Sequence, residues 1–205
     1  MKHKRLIIVS AGGTGGHVFP AISLISNLNI NKYRSEFLTD SRCEYILKKT
    51  KINYKIISSS SIPNNFFYLP KAVFKILLGI FNCLRILKKK TPSVVIGFGG
   101  YVSLPAIIAA RILGIPTVIH EQNSVMGKAN RFLSYFSTYV ALTYKNTKYS
   151  KNTENIFVTG MPLRKEFYRK HKKTQSHKKT ILIIGGSQGA RFFSQLIPKL
   201  IIYLK

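Results

Sequence analysis

Acidic side chains are scarce in this sequence. Six Asp and Glu stand against 33 Lys and Arg in 205 residues, for a formal net charge of +27. The six are Glu36, Asp40, Glu44, Glu121, Glu154 and Glu166, and no Asp-x-Asp pair exists to hold a metal against a diphosphate. Tryptophan is absent. The two cysteines, Cys43 and Cys83, lie in no CxxC or His-paired spacing, so neither a zinc site nor a disulfide framework is indicated, and a reducing compartment fits. The basic N-terminus is followed by an apolar run of only Leu6 to Val9 before glycines intervene, too short for the core of a signal peptide. No glycine turn continues into Gly-Lys-Ser/Thr, which excludes a Walker A loop.

What remains is a globular composition. Hydrophobic residues make up 45%, with 13 Phe and 11 Tyr, which excludes a disordered chain. The length suits one good core, or one domain plus part of another. Part of the positive charge is a bias toward Lys, Ile and Asn along the whole chain. The remainder points to an anionic partner: nucleic acid, an anionic membrane or a phosphorylated substrate.

Short β-branched runs alternate with helical stretches, which predicts an α/β fold with a parallel sheet. The predicted strands are Leu6–Ser10, Ser35–Thr39, Tyr54–Ser58, Ser93–Ile96, Pro116–His120, Tyr139–Leu142, Ile156–Val158 and Thr180–Ile184. The predicted helices are Phe19–Asn29, Cys43–Thr50, Tyr68–Lys89, Leu104–Leu113 and Met126–Tyr135, with a last one from about Ala190. Residues 1–163 are read as a domain. Residues 164–179, "RKEFYRKHKKTQSHKK", are read as a basic linker with a short helix at its start. Residues 180–205 restart the pattern as one strand, one glycine turn and one helix. A single βα unit cannot bury its own faces. The expectation is therefore one domain plus the opening of a second, from a truncated or split gene or from a piece cut out of a longer protein.

Three glycine turns follow strands: "AGGTGGH" with Gly12, Gly13, Gly15 and Gly16; "GFGGY" with Gly97, Gly99 and Gly100; and "GGSQGA" with Gly185, Gly186 and Gly189. Glycine lets the backbone turn tightly and approach a ligand. The helix that follows offers free N–H groups and a positive dipole end, so the natural ligand is a phosphate or diphosphate. With few acids available, a general base at this edge would come from Asp40, Glu121, His17 or His120. His120 also reads as a structural strand-end histidine. His3, His171 and His177 lie at the terminus or in the basic linker. Asp40, at the end of the second strand, also leaves room for a dinucleotide-binding oxidoreductase.

In "FFYLPKAVFKILLGIFNCLRILKKK", Lys71, Lys75, Asn82, Arg85 and Lys89 form one helical stripe. The charges argue against a membrane span. The wide apolar arc beside them suggests a surface resting on anionic lipid, with Lys71, Phe74, Lys75, Leu78, Phe81 and Arg85 as contacts.

The motifs "GGTGGHVFPA", "GFGGYVSLPA", "HEQNSVMGKANR", "GMPLRKEF" and "GGSQGAR", in this order, resemble the MurG family of peptidoglycan glycosyltransferases, of glycosyltransferase family 28 type. The resemblance runs from about Arg5 to Ser194. It implies a Rossmann-like N-terminal domain of the two-domain GT-B architecture and the first βα unit of an incomplete second domain. It implies a hexosyltransferase that moves N-acetylglucosamine from UDP-N-acetylglucosamine to the C4 hydroxyl of the muramoyl sugar in undecaprenyl-pyrophosphoryl-muramoyl-pentapeptide. The transfer would be inverting, without metal or cofactor, and would occur at the cytoplasmic face of the bacterial inner membrane. Carried over residue by residue, Thr14, Gly15, Gly16, Asn123, Arg164 and Ser187 would contribute to the UDP-sugar site. Gly13, Gly99, Gly100, Tyr101 and Asn130 would face the acceptor diphosphate. His17 or Glu121 would be the base, and the residues leave that choice open. The family's Asn before Pro162 is Met161 here, and the Asn expected near the last helix is Ser194. The chain alone is expected to be inactive. The rival readings are the oxidoreductase, a nucleic-acid-binding basic module, which the even spread of cations disfavours, and a membrane-binding remnant without activity.

Overall fold

The computed structural model describes residues 4–63, 65–150, 154–168, 181–185 and 191–203. The chain divides into two units, Met1–Tyr168 and Arg169–Lys205.

The first unit is built on seven parallel strands: β1 (Arg5–Ser10), β2 (Tyr33–Thr39), β3 (Tyr54–Ile56), β4 (Val94–Gly97), β5 (Thr117–Glu121), β6 (Tyr139–Leu142) and β7 (Ile156–Val158). Their order across the sheet is β3-β2-β1-β4-β5-β6-β7. The chain winds outward in one direction from β1 and in the other from β4, so the order reverses between these two strands. Open parallel sheets bind ligands in the crevice at such a switch point, beyond the carboxyl ends of the strands. Two of the three glycine turns follow β1 and β4, so the topology places both at that crevice.

Side-chain alternation divides the core. Leu6, Ile8, Val95, Ile119 and Val140 face helices α3 (Leu69–Lys90), α4 (Ser103–Ile112) and α5 (Lys128–Leu133). Ile7, Val9 and Phe37 face α1 (Gly15–Asn27) and α2 (Glu44–Leu47). The central strands are nearly continuous apolar runs because both faces are covered.

α3 buries Ala72, Gly79, Cys83 and Leu87 against the core, while Phe74, Leu77, Leu78 and Phe81 stay exposed. Residues Phe66–Lys90 are long and apolar enough, by length and composition alone, to cross a membrane. In the fold this helix packs on α4 as one layer.

Other boundaries also differ from expectation. α1 starts at Gly15 rather than Phe19, because the glycine turn itself forms its first turn. Pro20 lies inside the helix. The predicted helix Cys43–Thr50 is a 3-10 turn, Ser41–Cys43, followed by a single α-turn, Glu44–Leu47. The short helix expected at the start of the linker is a 3-10 turn, Lys165–Tyr168. In the second unit, α6 spans Arg191–Tyr203, but residues 181–185 carry no strand. Ile181, Leu182 and Ile184 are each at least two-thirds exposed. A lone βα unit offers that segment no ladder to join.

Candidate active site at the switch point

The turn after β1 runs into α1, with Thr14 as the residue that caps it. The Thr14 side chain makes no capping bond; instead its Oγ1 lies 3.2 Å from His17 Nδ1. The turn after β4 lies directly against the first. Gly99 and Gly100 both have left-handed backbones, with φ of 85° and 72°. A Cβ on Gly100 would stand 2.5 Å from the Gly12 carbonyl oxygen, and one on Gly99 would stand 2.9 Å from His17 Cδ2. Only glycine fits both the dihedrals and the space. Ser103 ties the turns together, its hydroxyl donating to the Ser10 and Gly99 carbonyls at 3.0 and 2.8 Å.

β5 delivers the third part. The Glu121 carboxylate is almost completely buried and accepts four hydrogen bonds. Oε1 takes the Asn123 backbone N–H and Asn123 Nδ2 at 3.0 and 2.9 Å. Oε2 takes the Gly127 N–H and Asn130 Nδ2 at 3.0 and 2.8 Å. Asn130 Nδ2 also donates to the His120 carbonyl, and Gln122 Nε2 donates to the Phe98 carbonyl. Glu121 is thus the hub around which the 121–130 loop folds, and its acceptor positions are used internally.

The three segments enclose a cleft of about 180 Å³. It brings together His17, Gly99, Gly100, Tyr101, Glu121, Asn123 and Asn130. Asn130 Oδ1 is buried there without a partner. His17 is half-buried, and burial pulls its pKa below the ordinary 6.5, against the opposing effects of the Glu121 charge and a hydrogen bond to the Gly12 backbone. Burial therefore favours its neutral imidazole form. Nδ1 lies against the Thr14 hydroxyl, and Nε2 is on the Gly99 side, 3.2 Å from where a Cβ there would stand.

Other predicted residues lie elsewhere. Gly15 and Gly16 form the first turn of α1. Gly13 faces Arg42 rather than the cleft. Arg164 sits over the Phe19 and Phe167 rings, at 5.7 and 5.4 Å. Ser187 lies outside the described residues. Asp40 is buried, and Arg42 Nε donates to its Oδ2 at 2.9 Å. His120 is held by Gly160 and stacked on Phe98, away from the cleft. All six membrane candidates on α3 are exposed, with the Arg85 guanidinium 5.5 Å from the Phe81 ring centre. Sequence reasoning missed Gly127, Lys128 and Ala129, which also line the cleft. Their signal was their place between Glu121 and Asn130, the two ends of the loop. Among the described residues, no group of three or more His, Cys, Asp or Glu could hold a metal ion.

Residues 7–142 match the glycosyltransferase family 28 N-terminal domain. A UDP-N-acetylglucosamine--N-acetylmuramyl-(pentapeptide) pyrophosphoryl-undecaprenol N-acetylglucosamine transferase of Rickettsia bellii is 41% identical over 96% of this chain and 56% of its own length. The enzyme of the same name from Agrobacterium fabrum is 35% identical over 99% and 56%. Among solved structures, MurG of Acinetobacter baumannii matches at 33% identity with a TM-score of 0.74, covering 95% of this chain and 56% of that one. The chain spans about half the length of the curated relatives it matches.

Proposed function

The chain belongs to glycosyltransferase family 28 through its N-terminal domain, and on that premise we propose that it is the acceptor-binding half of an N-acetylglucosaminyltransferase of peptidoglycan assembly. The substrates would be UDP-N-acetylglucosamine and undecaprenyl-pyrophosphoryl-muramoyl-pentapeptide. The oxidoreductase alternative gives way to the family. The observation that carries the reading is the His17 imidazole beside two interlocked glycine turns in one cleft.

His17 Nε2 takes the proton of the acceptor's C4 hydroxyl. The hydroxyl oxygen forms its bond to the sugar's anomeric carbon as the bond from that carbon to the UDP diphosphate breaks. UDP departs with the electron pair, and the anomeric centre inverts. Thr14 orients the imidazole from its Nδ1 side. Glu121 holds the loop carrying Asn123 and Asn130, so it is a positioning residue, and Asn130 Oδ1 is free to accept from a sugar hydroxyl. Backbone N–H groups of the glycine turns and the α1 dipole hold diphosphate without a metal. Thr14, Gly15, Gly16, Asn123 and Arg164 contribute to the donor side. Residues 1–163 form the acceptor domain, 164–179 the linker and 180–205 the start of the donor domain, so this chain alone does not turn over.

α3 rests on the cytoplasmic face of the membrane through Lys71, Phe74, Lys75, Leu78, Phe81 and Arg85. Each basic residue near an anionic surface contributes about 1 kcal/mol. Charge reversal of Lys71, Lys75 and Arg85 should abolish co-sedimentation with anionic vesicles.

The decisive assay uses a chimera: this chain through Tyr168, followed by the remaining part of the Rickettsia bellii relative. It should transfer labelled N-acetylglucosamine to the lipid acceptor, and the 205-residue chain alone should not. A well-folded chimera without transfer, or turnover by the chain alone, would sink the proposal.

A further inference from the structure

A second cavity, about 410 Å³, opens on the same edge of the sheet, one strand over, beyond β2 and β3. It is lined by Asp40, Arg42, Ser58, Ser59 and Lys75, among others. Asp40 is 5% exposed, and its Oδ1 is buried with no hydrogen-bond partner. Ser59 Oγ is likewise buried and unpartnered. Buried polar atoms are ordinarily satisfied, so an unpartnered carboxylate oxygen lining a cavity marks a place where a ligand's donor belongs.

The packing of α3 shapes this site. A Cβ on Gly79 would stand 2.1 Å from the Ser58 carbonyl oxygen. The missing side chain lets the helix press onto the segment after β3. Lys75 lies four residues earlier on the same face, and so reaches the cavity. The first glycine turn packs against two of the lining residues: a Cβ on Gly12 would lie 3.2 Å from Asp40 Cγ, and one on Gly13 would lie 3.7 Å from Arg42 Nη2. The cavity and the catalytic cleft thus flank the same turn.

The chemistry narrows the ligand. Arg42 is ion-paired with Asp40 Oδ2, which leaves the Lys75 ammonium as the uncompensated charge of the lining, so the lining favours an anion. Asp40 Oδ1 demands an N–H or O–H donor beside that anion. A bare diphosphate carries no such donor and would be repelled by Asp40. A peptide with carboxylate side chains supplies amide N–H donors, carbonyl acceptors for the serine hydroxyl and a carboxylate for Lys75. We infer that this cavity is a subsite for a short acidic peptide, the peptide arm of the acceptor, laid across the first glycine turn while its sugar occupies the cleft. This inference rests on the function proposed above.

The test is calorimetric titration of the 205-residue chain with N-acetylmuramoyl-pentapeptide lacking lipid and diphosphate. Parallel titrations use the same compound with its carboxylates amidated, inorganic diphosphate and UDP-N-acetylglucosamine. The peptide should bind. Lys75→Glu, an exposed substitution that leaves the fold intact, should weaken it about tenfold or more, the loss of a charge-assisted contact. Amidation should do the same, and Ser59→Ala should weaken binding a few-fold. Diphosphate binding to Ser59→Ala should be unchanged. Equal peptide affinity in Lys75→Glu, or a Ser59→Ala defect confined to diphosphate or the nucleotide sugar, would overturn the subsite. Absence of peptide binding while a short-chain diphosphate-linked acceptor still binds would overturn it and leave the proposed function standing. Failure of both acceptor probes would remove the proposed function itself.

Discussion

Two histidines lie near the carboxyl edge of the sheet, and their surroundings differ. His120, 4% exposed, stacks on Phe98 with ring centres 5.0 Å apart and pairs through Nε2 with the Gly160 carbonyl at 2.9 Å. His17 is half-buried, with Nδ1 3.2 Å from the Thr14 hydroxyl and its ring lining an open cleft on the Gly99 side. Burial lowers the pKa of both. The shared shift therefore does not tell base from buttress; the direction in which the second nitrogen points does. A perturbed histidine is a candidate for chemistry only where geometry leaves it something to reach.

The largest expected break in that comparison is in turnover. In the chimera, His17→Ala should lower kcat by about 10²–10⁴-fold, the range for loss of a general base, with little change in stability. His120→Phe should leave kcat near the parent value. Similar kcat losses in both variants would erase the distinction between them.

Glu121→Ala comes next. It strips the partners from four donors on the 121–130 loop, and urea unfolding of the first unit should show a loss of about 2–4 kcal/mol. Glu121→Gln should retain part of the stability and a measurable kcat. A Gln variant as inactive as His17→Ala would return Glu121 to the chemistry itself.

Gly100→Ala should cost about 1–3 kcal/mol, since it combines a left-handed backbone with a contact on the Gly12 carbonyl. The smallest effect is the pH dependence. Both folded-state histidine pKa values lie below the ordinary 6.5, so the unfolded chain binds more protons as pH falls through that value. Stability should decline on acidification below about pH 6.5 and be flat above it on this account. His120→Phe should flatten that decline while costing about 1 kcal/mol at neutral pH for its hydrogen bond to Gly160.

Much of the fold was legible in the sequence. Apolar runs such as "LIIVS" and "VVIG" can only be buried parallel strands once helices separate them, and glycines at their ends mark the ligand edge. His17, Gly99, Gly100, Glu121 and Asn130 were candidates from sequence, and the structure places all five on one cleft. The role of Glu121 was not legible, because its four donors come from backbone and side chains whose meeting depends on the loop's closure. The Asp40 cavity was hidden for a similar reason: Lys75 and Ser59 line one cavity where Gly79 lets α3 approach the segment after β3. The strand predicted at Thr180–Ile184, of which residues 181–184 are described, had the right residues but no neighbouring strand among the described residues of its own unit, and a strand exists only as part of a ladder.

The central claim is that His17 presents a bare Nε2 to the acceptor hydroxyl. Nitrogen NMR of the histidine rings in the 205-residue chain tests it directly. The account predicts that His17 at neutral pH is uncharged, with the proton on Nδ1, and that it titrates below 6.5. A proton resident on Nε2, or a pKa above 6.5, would contradict it.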